Sequence, residues 1–201
     1  MQADGTFRLF LAIDPPDGIN REIARIQSRL QRIVTGDVRW VKPGGVHLTL
    51  KFFGDVPAKE IEPISAASLK AAAVAAPFTL SFRGLGTFPP ARRPRVVYLG
   101  MEGDTKRLAA FQAEIEAELA DRGFPGEERP FLPHLTLARI KSLEESDRLF
   151  RELAESKAYE AGQFTATELC LFKSELAPGG AIYTKLAAYP FAGSAGEQLP
   201  G

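Results

Sequence analysis

The chain has 201 residues, enough for one domain or two small, tightly joined lobes around a sizeable core. Its 45% hydrophobic and 25% charged residues are ordinary for a soluble globular protein, and Lys+Arg balance Asp+Glu at 25 each. That balance gives no support for a broad basic surface for long nucleic acids and leaves room only for a local cluster, the single Cys170 excludes an internal disulfide, and no Cys/His cluster has zinc-site spacing.

The start, Met1 to Thr6, lacks a basic segment followed by an apolar run, and no apolar stretch is long enough to span a bilayer. The expectation is a cytoplasmic, soluble protein without a membrane partner. Residues 7–13 form a short apolar run, read as a buried strand stopped by Asp14-Pro-Pro-Asp17. Ile19, Ile23, Ile26, Leu30 and Ile33 then recur at helical spacing, with Gly36 near the helix end. A brief strand at 39–41 and a Pro43-Gly44-Gly45 turn lead into a strand at 46–53, ended by Gly54. Pro63 suits the first turn of a second helix running to Ala76. A strand at 78–82 precedes a Gly, Pro and Arg-rich loop, Gly84 to Pro94.

The second half repeats this plan. A strand at 95–100 precedes a helix headed by Asp104, with Leu108, Phe111, Ile115 and Leu119 apolar. Pro133 introduces another strand, and Ser142 with Glu145 reads as a capping box opening a fourth helix. Two final strands follow, near 164–172 and 182–189, joined by the turn Ala177-Pro-Gly-Gly180. From Ala192 the tail has little to bury and is expected to be disordered.

The centre of each half is the same tetrapeptide, His47-Leu-Thr-Leu50 and His134-Leu-Thr-Leu137, 87 residues apart and containing the only two histidines. On a strand, His and Thr share one face while both leucines face the core. Arg95-Val-Val-Tyr-Leu-Gly100 follows Arg8-Leu-Phe-Leu-Ala-Ile13 by the same 87 residues, and Asp104 follows Asp17 likewise. Shared register predicts two lobes, roughly 7–86 and 95–190 of a single 1–191 domain, related by a pseudo-two-fold axis. That axis would bring both His/Thr faces to one cleft, as an acid, a base and two hydroxyl donors around an anion.

The pattern resembles the 2H phosphoesterase superfamily, and within it the bacterial and archaeal RNA 2′,3′-cyclic phosphodiesterases, formerly called 2′-5′ RNA ligases. The resemblance runs from Arg8-Leu-Phe-Leu-Ala-Ile through Trp40, His47-Leu-Thr-Leu-Lys-Phe-Phe-Gly54 and Pro133-His-Leu-Thr-Leu-Ala-Arg139 to Ser174-Glu-Leu-Ala-Pro-Gly-Gly-Ala-Ile-Tyr183. It implies an α+β, bilobal fold with two antiparallel sheets lining a cleft and helices outside. It also implies hydrolysis of RNA or nucleotide 2′,3′-cyclic phosphates to 2′-phosphates, with no metal and no cofactor; a monomer is the expected state.

By the same resemblance His47 is the acid donating to the ribose O3′ and His134 the base acting on water. Thr49, Thr136 and Arg139 would bind the phosphate, with Lys51 and Lys141 the next candidate cations. Strict alternation from His134 turns Arg139 to the wrong face, so a bulge or the strand end near Ala138 must re-aim it. Phe52 has the same problem after His47; it would stack on the terminal base or simply belong to the core. Arg92-Arg93-Pro94-Arg95 would touch further RNA phosphates or form a solvated loop. Rival activities are 2′-5′ RNA end joining, opening of a nucleotide such as ADP-ribose 1″,2″-cyclic phosphate, and non-catalytic RNA-end binding.

Overall fold

The structure, a computed structural model, describes residues 5–42, 44–90, 93–127, 129–144, 146–155, 159–177 and 180–193. In chain order the elements are β1 (Thr6–Ile13), α1 (Asp17–Gln31), β2 (Val38–Trp40), β3 (Leu48–Pro57), α2 (Ile61–Val74), β4 (Phe78–Phe88) and β5 (Val96–Gly103). They continue as α3 (Thr105–Ala120), β6 (Leu135–Ile140), α4 (Ser146–Ala154), β7 (Glu160–Ala166), β8 (Glu168–Ala177) and β9 (Gly180–Pro190). The strands form two antiparallel sheets, ordered β3-β1-β8-β9 and β2-β6-β5-β4-β7. The fold is the expected bilobal α+β arrangement. No helix among the described residues is long and apolar enough to cross a membrane.

The apolar spacing behaves as read. Ile19, Ile23, Ile26 and Leu30 are buried on α1, which packs on β7; Leu108, Phe111, Ile115 and Leu119 are buried on α3, which packs against α2, β3 and β4. Leu48, Leu50, Leu135 and Leu137 are all buried. Each is worth roughly 1.5–3 kcal/mol of apolar burial, and a one-residue slip would expose it, so the leucines hold both strands in register.

The composition of the lobes corrects the simple duplication. The first sheet takes β1 and β3 from the N-terminal half but β8 and β9 from the C-terminal half. The second takes β2 and β4 from the first half and β5, β6 and β7 from the second. The break lies at Thr167: the stretch read as one strand at 164–172 is two, and the chain there leaves one sheet for the other. The repeat is also not uniformly 87 residues. Ala12 pairs with Thr49 and Tyr98 with Thr136, so β1 and β5 are related by 86 residues while the His strands keep 87.

Other boundaries move for local reasons. β3 and β6 begin one residue after each histidine. β3 does not end at Gly54, which takes φ +70° beside a pairing irregularity between Leu9 and Phe10 and carries the strand on to Pro57. Gly84, at φ +78°, plays the same part in β4, which runs to Phe88 through the start of the expected loop. The fourth helix starts at Ser146 rather than after Ser142, while Glu145 lies outside the described residues, as do 194–201 of the tail. Ala192 and Gly193 dock instead, their amides donating to the carbonyls of Ala72 and Ala75.

Candidate active site

Both tetrapeptides open onto one cleft of about 460 Å³. Its lining includes His47, Thr49 and Phe52 from one sheet and His134, Thr136 and Arg139 from the other, so all six candidate residues meet. Arg8, Phe10, Ser174 and Tyr183 join them. No carboxylate lines the cleft among the described residues, while two guanidiniums and two imidazoles do. Such a lining attracts an anion.

Arg139 and Phe52 reach the cleft because each strand bulges at the same place. On β3, Thr49 pairs with Ala12 and Lys51 with Leu11, leaving Leu50 as the extra residue. On β6, Thr136 pairs with Tyr98 and Ala138 with Val97, leaving Leu137 extra. Leu50 and Lys51 are consecutively buried, as are Leu137 and Ala138, and alternation resumes one step out of phase. Behind β6, the buried Gln27 of α1 donates from Nε2 to the Leu137 carbonyl at 3.0 Å and to the Val41 carbonyl at 2.7 Å. Gln112 of α3 reaches the Leu50 carbonyl at a longer 3.4 Å. The two helices thus present an amide to each bulge, more tightly on the Arg139 side.

The histidines sit in different environments. His47 is buried, its ring stacked on Phe172 at 4.4 Å and met edge-on by Tyr183 at 5.2 Å. Its Nδ1 lies 3.2 Å from Asp14 Oδ1, ion-pair distance but off the line of a hydrogen bond, and its Nε2 has no partner among the described residues. Burial raises the Asp14 carboxyl, but its contacts with His47 and Lys185 outweigh this and hold it below the usual carboxylate range. Lys185 stands 3.0 Å from Asp14 and 3.4 Å from Glu168. Burial would push the Lys185 ammonium down; the Asp14 carboxylate, with that of Glu168, holds it above its ordinary value. Cys170 is itself pushed up to about 12 by burial and the Glu168 carboxylate, so it stays a neutral thiol.

No carboxylate is paired with His134 among the described residues. Its Nδ1 is 2.7 Å from the Leu132 carbonyl, which only accepts, so Nδ1 carries the proton and the neutral ring keeps a lone pair on Nε2. Phe88 and Tyr98 meet the ring edge-on at 5.0 and 5.5 Å.

The remaining candidates divide. Phe52 is 41% exposed in the cleft, stacked near Phe10 and covered by the Arg8 guanidinium at 4.9 Å, so it is not a core residue. Lys51 is buried outside the cleft lining, bound to Glu116 at 2.8 Å and to the Pro125 carbonyl, in an adjoining pocket that Thr49, Phe52 and His134 also line. Lys141 pairs with Asp37 at 3.4 Å. Neither is a cleft cation. Arg95 donates to the Lys141 carbonyl, and Arg92 lies outside the described residues. Sequence reading missed Asp14, taken only for a strand stop, and Arg8, quoted in the resemblance but given no role.

Comparison with known proteins agrees with this geometry. Residues 15–177 match the model of the 2′-5′ RNA ligase superfamily. An RNA 2′,3′-cyclic phosphodiesterase of Methanothermobacter thermautotrophicus is 36% identical over 182 residues, covering 90% of this chain and 97% of that relative. A Methanocaldococcus jannaschii protein of the same name is 32% identical over 176 residues, covering 88% and 96%. Among solved structures, E. coli LigT complexed with 3′-AMP superposes with a TM-score of 0.72 at 28% identity, covering 92% of this chain and 98% of that one. With the paired motifs, the fold and these matches in agreement, the chain belongs to the 2′-5′ RNA ligase superfamily of 2H phosphoesterases.

Proposed function

We propose that this protein hydrolyses RNA 2′,3′-cyclic phosphate ends to 2′-phosphomonoesters by metal-independent acid–base catalysis between its two histidines. The observation that carries the reading is the unequal pair: two imidazoles on one cleft, one beside an ionised carboxylate and one on a carbonyl. The names of the relatives support the substrate class.

The Asp14 carboxylate balances the charge of a protonated His47, which suits the acid. The Leu132 carbonyl fixes Nδ1–H on His134 and leaves Nε2 free, which suits the base. Water attacks phosphorus as His134 takes its proton; the P–O3′ bond breaks as His47 gives its proton to O3′. The 2′-phosphomonoester leaves with His47 neutral and His134 protonated, and solvent restores both. Thr49, Thr136 and Arg139 hold the non-bridging oxygens as charge redistributes, and Phe52 offers a face to the terminal base.

The test is turnover of adenosine 2′,3′-cyclic phosphate and of a cyclic-phosphate-ended RNA in excess EDTA. The 2′-phosphate should accumulate, and His47→Ala and His134→Ala should each lose roughly 10²–10⁴-fold. On a p-nitrophenyl phosphodiester, whose leaving group needs little protonation, His47→Ala should be partly rescued and His134→Ala should not. Rescue of His134→Ala alone reverses the roles, and zinc-restored activity after chelation overturns the scheme.

A further inference from the structure

The Arg139 position has a neighbour that the chemistry above does not use. β2 pairs antiparallel with β6 in the register Val38↔Ile140, Arg39↔Arg139, Trp40↔Ala138. Residues directly opposite in such a pair project from the same face of the sheet, with Cα atoms about 4.5–5.5 Å apart. Arg139 lines the cleft, so Arg39 stands on the cleft face. Val41, two residues further along the same chain, lines the cleft as well as touching the core, while Val38 and Trp40 pack against the core and are absent from the lining. Alternation and pairing therefore place Arg39 on the same side.

Two guanidiniums directly opposite one another repel. Both are exposed, and neither pairs with a carboxylate among the described residues. On the same pair of chain segments, just beyond, Lys141 is matched by Asp37 at 3.4 Å. Among the described residues, charge is neutralised at that position and not beside the cleft. An unneutralised pair of forks suits two anions one step apart, since each guanidinium can bind two oxygens.

We propose that Arg39 is a phosphate-binding subsite for the 5′ side of the substrate's terminal nucleotide. This rests on the reading of Arg139 as the clamp of the cyclic phosphate. With that phosphate at Arg139, Arg39 on the edge strand β2 lies outward of it, where the phosphodiester on the terminal nucleoside's O5′ follows. The site selects cyclic-phosphate ends that continue into an RNA chain over free nucleoside 2′,3′-cyclic phosphates.

The experiment compares Arg39→Ala with wild type on three substrates, all carrying adenosine 2′,3′-cyclic phosphate at the reacting end. One has a free 5′-hydroxyl, one a 5′-phosphate and one a second adenosine linked through a 5′ phosphodiester. Arg39→Ala should raise KM for the dinucleotide about three- to thirtyfold with kcat kept, and leave the 5′-hydroxyl substrate unchanged. Arg39→Lys should recover only part of the dinucleotide affinity, because an ammonium keeps the charge and loses the two-oxygen contact. The salt dependence of log(kcat/KM) for the dinucleotide should flatten by roughly 0.7 in Arg39→Ala, one single-strand phosphate contact. A KM rise for the 5′-phosphate substrate but not the dinucleotide overturns the assignment to an RNA chain in favour of a terminal or pyrophosphate group. Equal loss on all three substrates, or none on the dinucleotide, overturns the subsite while the cleft chemistry stands. Wild type inactive on all three sinks the reading beneath it, and the subsite too.

Discussion

At the residue scale, the least expected partner of the cleft's residues is Asp14, one residue past the end of β1 and outside the cleft lining. It meets the acid of the proposed mechanism, while Lys185 on β9 meets Asp14 in turn. If Asp14 serves His47 as acid, Asp14→Asn should lower kcat on a cyclic-phosphate RNA by on the order of tenfold to a hundredfold. The same variant should lose much less on a p-nitrophenyl diester, whose departure needs little acid. Equal losses on both substrates would show a general disturbance of the cleft. The direction of the Asp14 shift also sets a pH window. Its folded value is depressed, so its stabilisation is complete above the unfolded carboxylate value and is lost as pH falls through the folded one. Urea unfolding should show wild type more stable than Asp14→Asn at pH 5, with the gap closing below about pH 4.

At the element scale, the two bulges decide which side chains enter the cleft. Without an extra residue at Leu137, strict alternation turns Arg139 away from His134. Gln27 is placed to hold that extra residue, since its two amide protons satisfy the carbonyls of Leu137 and Val41. Gln27→Met keeps the volume and removes both bonds. It should lower kcat about 10- to 100-fold through misplacement of Arg139, and change kcat less than about twofold when introduced into Arg139→Ala. Additive losses in the double mutant would make Gln27 a general stability residue with no hold on the guanidinium. Gln112→Met should cost less, because its 3.4 Å contact is at the weak end of hydrogen bonding.

At the scale of the whole molecule, the two lobes are not the two halves of the sequence. β1 lies between β3 from its own half and β8 from the other, and β4 lies between β5 and β7, both from the other half. A fragment of residues 1–90 would leave β1 without β8 and β4 without both neighbours. Neither this fragment nor 91–201 should show a cooperative urea transition by circular dichroism, while the equimolar mixture should recover one. A cooperative transition in either fragment alone would mean that a half can close its own core. The same interleaving ties the cleft to the folded state of the entire chain, because each sheet that carries a histidine needs strands from both halves.

Local periodicity was sufficient for much of this. The spacing of Ile19, Ile23, Ile26 and Leu30, and of Leu108, Phe111, Ile115 and Leu119, determined two helices and their buried faces, because helical burial is a property of a few consecutive turns. The repeated His-Leu-Thr-Leu determined which residues share a face with each imidazole for two steps, since side chains alternate along any strand. Beyond two steps the answer depended on pairing. Whether Phe52 and Arg139 enter the cleft, and whether Lys51 leaves it, follows from an extra residue measured against a partner strand. That Thr167 passes the chain from one sheet to the other was equally unreadable, because a strand's own sequence does not name the edge it joins. The partners of His47 and His134 came from the tertiary structure for the same reason: Asp14 reaches its imidazole through strand pairing, and the Leu132 carbonyl through the path of a loop.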